Sequence, residues 1–114
     1  MGHADRAAET FRDLVLRHRG RTGLTQRELG ARLGASVRTL ASWEAGAKHP
    51  SGARLQALIA ALLAAGGLSP GREAEEARAL WAAVLREAPR MRVPLDEVWL
   101  AHVLAGSGHC RLGG

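Results

Sequence analysis

The sequence predicts an all-α fold: a compact bundle of about four short helices followed by two further C-terminal amphipathic helices. Composition is the first reason, since 46% of the 114 residues are hydrophobic, chiefly Ala, Leu and Val, with one Phe and no Tyr. Straight-chain and small side chains lose little rotamer freedom in a helix. The second reason is spacing, because apolar residues recur at helical rather than alternating intervals. The third is punctuation: Thr, Ser and Pro open most of these stretches, and Gly or Pro closes them.

The first helix lies within residues 5–18, with Phe11, Leu14 and Val15 on one stripe, and Gly20 and Gly23 end it. Thr25 and Glu28 form a capping box that opens a second helix, which Gly34 closes after Leu33. Ser36 caps a third helix running to about Ala45, before Gly46. Pro50 and Ser51 start a fourth, which reaches about Ala64 with Leu55, Leu58, Ile59 and Leu62 on its core face.

Residues 66–71, rich in Gly, Ser and Pro, read as a linker between a first unit at 5–65 and a helical extension at 72–105. In that extension Ala77, Leu80, Trp81, Val84 and Leu85 repeat at helical spacing up to Pro89. Leu95, Val98, Trp99 and His102 do so after Pro94. Residues 106–114 show no periodicity and read as a disordered tail.

The net charge of +5 rests on fifteen Arg and one Lys, and residues 1–50 hold nine of these against five acids. Guanidinium groups suit forked contacts with phosphate and base edges, so an anionic partner is favoured. One cysteine, Cys110, excludes an internal disulfide framework and fits a reducing cytoplasm. No apolar stretch is long enough to span a bilayer, so no membrane role is expected. Signatures of nucleotide hydrolysis, serine catalysis and zinc proteolysis are absent, so no catalytic residue is assigned. His102, His109 and Cys110 match no zinc-module spacing, and neither a metal nor another cofactor is expected.

The second and third helices are each too short to persist alone, so their value lies in packing on their neighbours and in what the pair presents outward. That is the logic of a helix-turn-helix, with Gly30 at the close crossing, Gly34 in the turn and Leu40 pointing back to the core. On the third helix Arg38, Thr39 and Ser42 share the polar face. Such a face fits a major groove, where an arginine takes guanine O6 and N7 with two bonds. Arg38 is the leading candidate for base reading. Val37 can touch a thymine methyl or finish the core.

The stretches "GLTQREL", "GASVRTL" and "WEAGAKHPS" resemble the lambda-repressor-like helix-turn-helix family, also called the xenobiotic-response-element or Cro/CI class, over residues 11–64. Gly30 stands where the family usually has alanine. The resemblance implies double-stranded DNA as partner, a recognition helix at about 36–45, and Gln26 meeting a phosphate at the start of the second helix. It also implies an ion pair between Arg19 and Glu44. Arg27, Lys48 and His49 are further candidates for the DNA backbone.

Residues 72–105 are similar to the segment that follows this domain in large actinobacterial-type regulators, which implies a front module of a longer protein with downstream effector domains. A stand-alone regulator is the rival. Trp81 and Trp99 either fill a core or form a surface for a homodimer or a protein partner. The competing function is an adaptor that keeps the fold and docks a partner through 72–105.

Overall fold

The computed structural model describes residues 9–113, with side chains described as far as Gly106, and its elements are helical throughout. They are α1 (Phe11–Thr22), α2 (Gln26–Leu33), α3 (Val37–Glu44), α4 (Gly52–Ala64), α5 (Glu73–Glu87) and α6 (Glu97–Gly113). All-α architecture is thus confirmed among the described residues, and the proposed start of the first helix at 5 lies outside them for residues 5–8.

Side-chain caps set most of the starts. Thr10, Thr25, Ser36 and Ser51 each accept a backbone N–H three residues on, which satisfies one of the orphan donors of a first turn. Asp96 does the same for α6, accepting from Val98 and Trp99 at 3.0 and 3.1 Å. At α5 the N-cap is Arg72 with no side-chain cap, and Glu73, Glu75 and Glu76 instead place negative charge at the positive end of the helix.

Two boundaries and one buried face differ from the sequence reading. Helix α1 runs through Gly20 and stops only at Gly23, whose left-handed backbone makes the turn. Gly20 is tolerated because an interior glycine costs only about 1 kcal/mol, less than the packing on either side provides. Helix α6 continues to Gly113, so the expectation of an irregular tail from 106 is corrected over 106–113; no proline interrupts it there. The buried stripe of α6 is also shifted: Leu100 is buried and Trp99, Val103 and Leu104 pack on the core, whereas Val98 is 78% exposed and His102 is exposed. A one-residue slip turns a helix by about 100°, enough to exchange its wet and dry faces.

Helix α3 packs on α1 and α2, α4 on α2, α5 closes over α1, and α6 lies against α4 and α5. Phe11, Leu29, Leu40, Leu58, Trp81 and Leu100 therefore share one hydrophobic core. The extension is part of that core rather than a separate unit. The segment read as a linker is likewise built in: Gly67 and Leu68 are buried, and the Gly67 carbonyl lies 3.0 Å from Nδ1 of His18.

Candidate nucleic-acid interface

The two short helices are locked by their turn. Glu28 accepts from Thr25 N–H at 2.9 Å while Thr25 Oγ1 accepts from Glu28 N–H at 3.1 Å, closing the capping box of α2. At the other end Gly34 adopts φ 76°, and Ala35 N–H donates to Gly30 O at 2.8 Å. A Cβ added at Gly30 would stand 2.5 Å from the Ala35 carbonyl oxygen, so the crossing of α2 and α3 is closer than alanine allows.

Leu40, Trp43 and Glu44 are the buried residues of α3, which leaves the opposite face open. Burying a leucine side chain contributes about 1.5–3 kcal/mol, so Leu40 alone is a substantial anchor for an eight-residue helix. Arg38, in the first turn, is exposed and has no hydrogen-bonding or ionic partner among the described residues. Val37 is half-buried and stands outside the hydrophobic core cluster. The hydroxyl of Thr39 lies 3.0 Å from that of Ser36, and Ser42 Oγ donates to the Thr39 carbonyl at 2.7 Å. Both keep acceptor capacity on the outer face.

Under that face lies a polar cluster. Arg19 on α1 holds Glu44 at the end of α3 through two bonds, Nε to Oε2 at 2.5 Å and a terminal nitrogen to Oε1 at 2.9 Å, and also donates to Leu24 O at 3.0 Å. The bond to Glu44 raises the arginine's pKa further above its ordinary value. Gln26 Nε2 donates to the same Glu44 Oε1 at 2.9 Å. Gln26 is therefore positioned by the base of α3, with its second N–H and the backbone N–H groups of Gln26 and Arg27 left for another acceptor.

The other candidates divide. Arg27 and Lys48 are exposed without partners among the described residues. His49 is committed elsewhere: its Nε2 lies 2.9 Å from Glu87 on α5 and its ring stacks obliquely on Phe11, 5.8 Å between centroids. Trp81 is buried and donates to Val93 O at 2.9 Å, which removes it from any partner surface. Trp99 is half-buried against the core. Glu87 was not singled out from sequence; it also accepts from the N–H of Phe11 at 2.8 Å, across 76 positions that no local pattern links. Among the described residues no cluster of His, Cys, Asp and Glu is arranged for a metal, and the side chains of His109 and Cys110 lie outside them. No helix of the described residues is long and apolar enough to cross a membrane.

A capped helix, a tight left-handed turn and a second helix clamped with its cationic face outward define a helix-turn-helix domain. Residues 17–62 match the family model described as Helix-turn-helix, and this part of the chain is a helix-turn-helix domain of the lambda-repressor-like, xenobiotic-response-element class. Domains of this kind belong to DNA-binding transcription regulators. Neither a curated protein nor a solved structure matches the chain.

Proposed function

We propose that the protein binds specific double-stranded DNA sequences as a cytoplasmic transcriptional regulator, with α3 in the major groove and α2 braced across the backbone. The observation that carries this reading is Arg38: a guanidinium with no internal partner, in the first turn of a helix whose opposite side is buried. Arg38 reads a base edge, Thr39 and Ser42 flank it, and Val37 contacts a thymine methyl. Gln26 and Arg27 on α2 and Lys48 beyond α3 meet phosphates, which fix the register without reading sequence.

Selection of bound fragments from random duplexes, followed by mobility shifts at two salt concentrations, tests the reading. An enriched motif whose affinity falls steeply with salt is the expected result. Well-folded protein that enriches nothing would count against it.

A second reading, self-association or docking of a protein partner through the extension, is favoured by the exposed Val98 on α6 beside Ala101 and Ala105. Two copies also suit paired half-sites on DNA. A sizing column run at several concentrations separates a dimer from a monomer.

A further inference from the structure

Beside the exit of α3 lies a cavity of about 680 Å³, walled on one side by residues 47–52 and on the other by residues 88–93 between α5 and α6. Lys48, Arg90 and Arg92 line it, with His49, and no carboxylate does. The three long cations are exposed and have no ion-pair partner among the described residues. The nearest acid in sequence, Glu87, is already engaged by His49 and by the Phe11 N–H.

The two walls are held in register with the recognition helix. Both Ala47 and Lys48 donate backbone N–H bonds to Ser42 O on α3, at 2.9 and 3.3 Å, so Lys48 follows that helix. The far wall is pinned at its start by the Glu87 and His49 contact and at its end by the Trp81 bond to Val93 O. Between these pins Met91 turns inward, its methyl near Gly52, while Arg90 and Arg92 on either side of it are exposed. Arg90, Met91 and Arg92 thus line one wall of the opening that Lys48 lines from the other.

Like charges gathered around one opening repel, and an anion spanning them removes that cost. We propose that Arg90 and Arg92, supplied by the α5–α6 connection, join Lys48 in a phosphate-binding rim that carries the DNA backbone past the end of the recognition helix. The inference rests on the DNA-binding reading and adds to it: the extension contributes contacts to phosphate, and residues outside 17–62 take part in the interface. The backbone is the fitting occupant because Lys48 continues directly from α3, on the flank where a groove-bound helix meets phosphates.

The test compares duplex affinity over a range of salt for the parent chain, for Arg90→Ala/Arg92→Ala, and for Arg72→Ala/Arg78→Ala. The last pair loses the same charge from exposed arginines already matched to Glu75 and Glu97. Removing two phosphate contacts should flatten the slope of log affinity against log salt by about 1.8, and weaken cognate and random duplexes alike by about tenfold or more at 0.1 M salt. The charge-matched control should keep the parent slope. Arg90→Gln/Arg92→Gln, which keeps a polar side chain without the charge, should repeat the result if the alanine pair melts early. A slope equal to the control's, in a parent that binds DNA, overturns the rim alone. A parent that binds no duplex overturns the DNA-binding reading together with it.

Discussion

Glu44, at the end of α3, is gripped through both carboxylate oxygens by Arg19 on α1, and the two partners are unequally buried, at 5% and 22% side-chain exposure. That asymmetry decides what each deletion costs. Arg19→Ala strands a buried carboxylate with only the Gln26 amide for company and should cost about 3 kcal/mol, the lower end for an unpaired buried charge. Glu44→Ala leaves an arginine that can swing toward water, and about 1–2 kcal/mol is expected from the lost bonds. Thermal or urea melts of the two variants give the ordering; equal losses would remove the argument from burial.

Gly30→Ala opposes two effects of known sign. A helix gains about 1 kcal/mol from the exchange, but the new methyl would stand 2.5 Å from a backbone oxygen that has no room to turn away. Overpacking of this kind costs about 1–3 kcal/mol, so net destabilisation of about 1 kcal/mol is expected, against propensity. A midpoint raised by the substitution would show that the α2–α3 crossing can relax.

Arg38 and Gln26 should fail differently on DNA. Removing a forked contact with one base costs about 1–3 kcal/mol of discrimination at that pair, so Arg38→Ala should flatten the preference at one position of a selected site. Gln26→Ala should weaken all duplexes alike, and it also deprives Glu44 of a donor, so its melt should fall slightly below that of Arg38→Ala. Competition titrations with single-base variants of the selected site read the difference.

How far these features were legible follows from their range along the chain. Caps such as Thr25 with Glu28 are written within one turn, and so were the starts of α2, α3 and α4. The outward face of α3 follows from helical spacing in eight residues. Phosphate candidates were harder: His49 looks like any basic residue beside a recognition helix until Glu87, 38 positions on, claims its ring. The glycines at 66 and 67 look like a spacer, yet the Gly67 carbonyl serves a buried histidine 49 positions away. In the last helix a single residue of register separated the dry stripe from the wet one, and Val98 fell on the wrong side.

His18 makes acid stability the final expectation. Its Nδ1 donates to Gly67 O at 3.0 Å, which leaves Nε2 as a lone pair, buried and without a partner. Burial lowers the pKa of this imidazole below 6.5; the Gly67 carbonyl and Glu76, 3.9 Å away, partly oppose that, and the charges of Arg17 and Arg21 add to it. The unfolded chain therefore binds a proton near pH 6.5 that the folded chain refuses until lower pH. Stability is full at neutral pH and falls as pH drops below 6.5 until the folded value is passed, with a slope that stays under the one-proton limit of about 1.4 kcal/mol per pH unit. Glu76 acts in a lower window. Burial pushes its pKa up, but bonds from Ser69 together with His18 and Arg21 outweigh this and hold it below 4.5, so its contribution persists above 4.5 and is lost beneath. Urea melts of the parent at pH 7.5, 6.5 and 5.5 should show a falling midpoint, and His18→Gln, which cannot charge, should be flatter over the same range. Parallel slopes for the two proteins would assign the acid sensitivity to another group.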